Sequence, residues 1–97
     1  MNTETRWILV GKLVVREVGG QVFILMPDST MHILENESAV HLYGALPAEG
    51  EVGATLEDLS RDLVTHFEVS ADQARIDVGA FLERLAEVGV VRATDAG

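Results

Sequence analysis

Hydrophobic and polar residues alternate over much of residues 14–34, and this period of two predicts β-strands. Residues 14–18 and 21–25 are rich in β-branched side chains and are separated by Gly19-Gly20. A glycine pair supplies the positive φ angles of a two-residue hairpin turn. The Pro-Asp-Ser sequence at residues 27–29 predicts a second turn, and residues 30–34 alternate again. We therefore expect a three-stranded antiparallel meander.

The apolar spacing changes to three and four residues after Asn36, as on one face of a helix. Asn36 suits the N-cap of a first helix that ends near residue 46. Two further helices are expected because residues 55–58 and 70–73 have the spacing of capping boxes. Gly89 suits the position just after the last helix.

These elements predict an α+β fold in which a three-stranded antiparallel sheet is followed by three helices, with a winged helix-turn-helix-like order. We divide the chain into an N-terminal arm or short strand over residues 1–12, a main domain over residues 13–91 and a polar tail over residues 92–97. The last strand of the meander has no predicted outer neighbour, so its edge is expected to be open.

The charge balance disfavours nucleic acid as a partner. Seven basic residues stand against sixteen acidic ones, and the formal net charge is −9, whereas binding to phosphates depends on Lys and Arg. The predicted third helix is itself net acidic, with Arg75 and Arg84 as its cations. There is no cysteine, no apolar run long enough to span a membrane and no signal peptide pattern. We expect a cytoplasmic protein that binds neither nucleic acid nor membrane.

Residues that carry enzyme chemistry do not form a recognisable pattern. His32, His41 and His66 form no HxxxH or HxH pair, and no cysteine can complete a metal site, so no metal site is expected. No serine lies in a GxSxG motif, and Gly19-Gly20 is not followed by the lysine of a phosphate-binding loop. The sequence therefore predicts no catalytic residues, no cofactor and no enzymatic activity.

Several short motifs, taken in order, resemble the PqqD-like family. They are VREVGGQVFIL at residues 15–25, NESAVHLY at residues 36–43, TLEDL at residues 55–59 and the helical segment at residues 77–91. The resemblance covers about residues 13–91. Glu35 departs from it, because the family usually has Leu before the Asn, and the loop at residues 47–54 is longer than usual.

PqqD-like domains are winged-helix peptide binders, the recognition elements of ribosomally made, modified peptides. The resemblance implies a peptide chaperone that binds the leader of a precursor peptide by strand addition. The bound peptide is presented to a modifying enzyme, often one of the radical S-adenosylmethionine type. The implied contacts lie on the third strand and the third helix: Thr30, Met31, His32, Ile33, Leu34, Asp77, Ala80, Phe81 and Arg84.

Other interpretations stay open beside this one. The chain could be a winged-helix regulator that binds a protein or, less in keeping with its charge, DNA, or it could be an interaction domain of another complex. Phe81 also fits the buried stripe of the third helix. Gly79 is about 1 kcal/mol less favourable than Ala in a helix, which indicates close approach of another backbone or packing against the first strand. The open edge and the arm containing Trp7 would also permit a homodimer.

Overall fold

The structure, a computed structural model, describes residues 4–11 and 13–94, and within them it contains two three-stranded sheets and three helices. The predicted α+β class, with an antiparallel three-stranded sheet and three helices, is confirmed. The elements in chain order are β1 (Arg6–Leu9), β2 (Val14–Val18), β3 (Gln21–Leu25), β4 (Met31–Leu34), α1 (Glu37–Ala45), β5 (Ala54–Thr55), α2 (Leu56–His66), α3 (Ala71–Glu87) and β6 (Val91–Thr94).

The predicted meander forms one of the two sheets, with the strand order β2-β3-β4. Its first turn is closed by Val18 and Gln21, which face each other across the hairpin. Gly19 and Gly20 have φ angles of 58° and 80°, and positive φ at both central residues defines the type I′ turn that matches the twist of paired strands. The pairing agrees with the sequence-based prediction.

The first two helices begin at the predicted caps. The Asn36 side chain accepts hydrogen bonds from the backbone N–H groups of Ser38 and Ala39, at 2.8 and 3.4 Å. Thr55 accepts from the Asp58 backbone at 3.1 Å, and the Asp58 carboxylate accepts from the Thr55 backbone at 3.2 Å. This reciprocal pair is a complete capping box.

The third helix has half of its predicted capping box. Ser70 accepts a hydrogen bond from the Gln73 backbone at 3.1 Å, but the Gln73 side chain donates to Asp77, one turn further along, at 2.8 Å. At the other end Gly89 has the expected positive φ, 86°. The Val90 N–H then donates to the carbonyl five residues back at 2.8 Å, as in a Schellman motif.

A second sheet, with the order β5-β1-β6, joins the two ends of the described chain. The N-terminal arm forms β1, which buries Trp7 and Ile8. Residues 92–94, the first part of the predicted polar tail, belong to β6 and pair with β1. Arg92 and Ala93 are exposed, so the pairing depends on backbone groups and leaves little hydrophobic pattern. Residues 95–97 of the predicted tail lie outside the described residues.

A single hydrophobic core connects both sheets and all three helices. The meander contributes the side chains of one face, α2 and α3 contribute apolar stripes, and β1 and β6 close one side. Val78, which the sequence placed in the core, is fully buried. Its buried side chains are those of Trp7, Val22, Ile24, Leu34, Leu42, Leu46, Leu59, Leu63, Ala74, Val78, Leu82, Leu85, Val90 and Val91.

Two glycine-to-alanine substitutions should shift stability in opposite directions. A Cβ at Gly53 would lie 2.8 Å from the Arg6 Cβ and 3.0 Å from the Trp7 backbone N and O atoms. Gly53→Ala should therefore lower the free energy of unfolding by about 1–3 kcal/mol. A Cβ at Gly79 would have no neighbour within 4 Å, so Gly79→Ala should raise it by about 0.5–1 kcal/mol.

Urea unfolding followed by circular dichroism measures both changes. A destabilised Gly79→Ala variant would contradict the open surroundings of that residue. The same surroundings show that packing against the first strand, one of the two explanations for Gly79 drawn from the sequence, is wrong.

Candidate peptide-binding site

The β4 strand lies at an edge of the meander, and among the described residues it pairs with β3 alone. The Met26 N–H donates to the Thr30 carbonyl at 2.8 Å. This bond marks Met26 and Thr30 as a hydrogen-bonded pair, and it therefore determines which of the following residues of β4 are hydrogen-bonded to β3. Backbone groups alternate in direction along an antiparallel strand. Those of His32 and Leu34 therefore point towards β3, whereas the N–H and C=O groups of Met31 and Ile33 point towards the open edge.

The side chains of β4 alternate between the two faces of the sheet. Thr30 and His32 line a cavity beside the end of α3, and Leu34 is buried with the core. Met31 and Ile33 lie on the opposite face, where they are 52% and 42% exposed. The strand thus offers side chains to α3 and backbone hydrogen-bonding groups to its free edge.

Two cavities lie between β4 and α3, and we call them together the β4–α3 groove. The larger, of about 500 Å³, lies near the β3–β4 turn. The other, of about 330 Å³, lies between the end of β4, the start of α1 and the middle of α3. The first is lined by Met26, Pro27, Asp28, Thr30, His32, Glu87 and Val88. The second is lined by Leu34, Asn36, Ser38, Ala39, Leu42, Asp77, Ala80, Phe81, Arg84 and Leu85.

Seven of the nine residues implied by the sequence line this groove. Met31 and Ile33 are the other two, and they reach it through the backbone of β4, not through their side chains. On α3, Asp77, Ala80 and Arg84 are exposed and Phe81 is half-buried. The wall is therefore apolar at its base and carries charges of both signs at its rim.

The contribution of α1 was not expected from the sequence. Asn36, Ser38, Ala39 and Leu42 form one side of the cavity at the end of β4. The signal that was available is the short connection, because β4 ends at residue 34 and the N-cap of α1 follows at residue 36. A helix that begins so soon after a strand must place its first turn beside the end of that strand.

The turn at the opposite end of the groove is fixed by local hydrogen bonds. Asp28 Oδ1 accepts from the Thr30 backbone N–H at 2.9 Å, and this bond lowers the pKa of the Asp28 carboxyl below its usual value. Ser29 takes a φ of 72°, which a residue with a short polar side chain accepts more readily than a bulky one. The carboxylate therefore holds the chain that leads into β4.

An open strand edge beside a helix is an arrangement to which an extended peptide can add as a further strand. The chain belongs to the PqqD family: the family described as coenzyme PQQ synthesis protein D matches residues 21–91, which include the whole groove. Members of this family are non-catalytic accessory proteins that interact with a peptide and with a modifying enzyme. Comparisons with curated proteins and with solved structures gave no match.

No helix among the described residues combines the length and the apolar character that crossing a bilayer requires.

Phe81→Ala should cost less stability than Leu82→Ala, although Phe has the larger side chain. Leu82 is fully buried, and its truncation should lower the free energy of unfolding by about 2–5 kcal/mol. Phe81 keeps part of its ring exposed to the groove, so we expect a loss of about 1–2 kcal/mol. Chemical denaturation of the two variants measures the difference, and an equal or larger loss for Phe81→Ala would assign this ring to the core.

Proposed function

We propose that the protein binds the leader segment of a ribosomally made precursor peptide in the β4–α3 groove. In this role it is non-catalytic and presents the rest of the precursor to a modifying enzyme. The observation that carries the proposal is the open edge of β4 beside the groove-lining face of α3. Membership of the PqqD family supports a peptide as the occupant of the groove.

The two walls of the groove have different tasks in this proposal. Backbone groups of Met31 and Ile33 supply hydrogen bonds that any extended peptide can make, and they therefore contribute affinity with little demand on sequence. The cavity at Leu34 and Phe81 accepts an apolar side chain of the leader. Arg84, one helical turn after Phe81, favours an acidic residue at the adjacent position of the leader.

The outer face of the meander suits the modifying enzyme. Val14, Val18, Leu25, Met31 and Ile33 are exposed there, and a group of exposed apolar side chains is typical of a protein interface. The β4 strand carries this face on one side and the groove on the other, so an enzyme bound here would lie next to the leader. We propose a radical S-adenosylmethionine enzyme as this partner, because the family resemblance favours it. We also propose that the complex forms in the cytoplasm, which the absence of cysteine favours.

The structure weakens two other interpretations drawn from the sequence. Of the two cations on α3, Arg75 is bound to Glu57 of α2 at 2.9 Å, and this contact lowers the pKa of the Glu57 carboxyl. Arg84 lies two turns from Asp77 in a helix that is net acidic, so α3 lacks the positive face of a DNA-recognition helix. A homodimer through the arm is also disfavoured, because Trp7 is buried in the core of its own chain.

The strand-addition proposal predicts which amides a leader peptide protects from hydrogen exchange. A synthetic peptide with the sequence of the precursor's leader should slow exchange at Met31 and Ile33. It should have little effect at Val15 and Glu17, which have the corresponding outward positions on β2, the other edge strand. Hydrogen exchange with mass spectrometry or NMR measures this, and protection confined to β2 or to the helices would contradict strand addition.

The same leader peptide tests the α3 wall. Arg84→Glu should weaken binding by about 1–3 kcal/mol, because a charge-assisted contact is replaced by repulsion. Stability should change by no more than about 0.5 kcal/mol, since Arg84 is exposed. Arg16→Glu is the matched control: it makes the same change of charge on β2, away from the groove. Fluorescence anisotropy measures binding, and equal affinities for the two variants would remove Arg84 from the site.

A further inference from the structure

Away from the groove, the fold brings together two histidines and a carboxylate that are separated in the sequence. His41 lies on α1, and Asp62 and His66 lie one turn apart on α2. One candidate ligand atom from each residue lies within 4.8 Å of the other two. We propose that His41, Asp62 and His66 form a binding site for a divalent transition metal ion of the Zn²⁺ type.

The distances within this His-Asp-His cluster are close to those that a metal ion requires. His41 Nε2 is 2.6 Å from Asp62 Oδ2, and His66 Nδ1 is 3.4 Å from Asp62 Oδ1. Ligand atoms around a tetrahedral zinc ion with bonds of about 2.0–2.1 Å are roughly 3.3 Å apart. Shifts of about an ångström in the side chains would therefore let all three ligands reach one ion.

Hydrogen bonds already hold all three side chains in place. His41 Nε2 is hydrogen-bonded to the Asp62 carboxylate, and a metal ion would replace this contact. His66 Nδ1 donates to the Asp62 backbone carbonyl at 2.9 Å, so metal binding would require His66 to release this bond or to present its other ring nitrogen. The cluster is consequently preorganised but not closed.

The chemical type of the three ligands determines which class of metal ion the site can bind, and their exposure determines how the ion reaches it. Two imidazoles with one carboxylate suit Zn²⁺ and other first-row transition ions, whereas Mg²⁺ and Ca²⁺ prefer oxygen ligands alone. The three side chains are partly exposed and border an open cavity that Glu17 of β2 also lines. An ion could therefore enter from solvent and complete its coordination with water or with the Glu17 carboxylate.

Zinc titration of the tag-free, full-length protein tests the proposal. Isothermal titration calorimetry with ZnCl₂ should show one ion bound per chain, and excess MgCl₂ should not displace it. His66→Ala should weaken zinc binding by roughly tenfold or more, and His41→Ala and Asp62→Asn should do the same. His66 is half-exposed and lies outside the core, so its variant should keep its fold, which circular dichroism verifies.

His32→Ala provides the matched control, because it removes the remaining histidine of the chain, which lies on β4. It should bind zinc as the unmodified protein does. Absence of saturable zinc binding at micromolar concentrations would overturn the proposal. Unchanged zinc affinity in His66→Ala, or an equal loss in His32→Ala, would also overturn it. The outcome is independent of the leader peptide, which this titration does not use.

Discussion

The groove depends on the burial of Leu34 at the end of β4. This side chain lies in the core opposite Val22 of β3, and because side chains alternate along a strand, its position fixes those of all the others. A shift of one residue would place Glu35 in the core and turn Leu34 out to solvent. Core packing therefore enforces the register that directs the backbone groups of Met31 and Ile33 to the open edge.

The position of α3, on the other side of the groove, is equally well defined. Ser70 caps the start of α3, Gly89 ends it, and Arg75 connects its first turns to α2 through Glu57. Between these points Val78, Leu82 and Leu85 bury one face, so the neighbouring face is left to line the groove. A rigid wall of this kind limits the freedom that a bound peptide would have to choose another position.

Local sequence signals predicted much of this architecture, but they could not predict the strand pairing between distant parts of the chain. The glycine turn and the caps at Asn36 and Thr55 act within a few residues, so they could be identified from the sequence. The β1–β6 pairing joins Arg6 to Thr94, and no local pattern indicates a contact across almost the whole chain. Periodicity gave the strand and helix of the groove, but family resemblance was needed to propose that they bind a peptide together.

The residues missed by sequence analysis share one property, which is that their partners come from different elements. Leu42 lines the groove from α1 because that helix starts directly after β4. His41 meets Asp62 and His66 only when α1 packs on α2. The spacing of residues in a motif identifies neighbours only within one element. In this cluster, the sequence therefore showed only the i, i+4 spacing of Asp62 and His66 on α2.

The β1–β6 ladder has a topological consequence. Arg6 faces Thr94, so the chain enters and leaves the folded body at neighbouring positions. A fold with adjacent points of entry and exit can be placed within a surface loop of another protein without separating the two sides of that loop. The same geometry allows the two points to be joined by a short linker and the chain to be opened elsewhere, for example at the exposed loop around Gly50. The domain can therefore be inserted into another protein as a unit without changing its open strand edge.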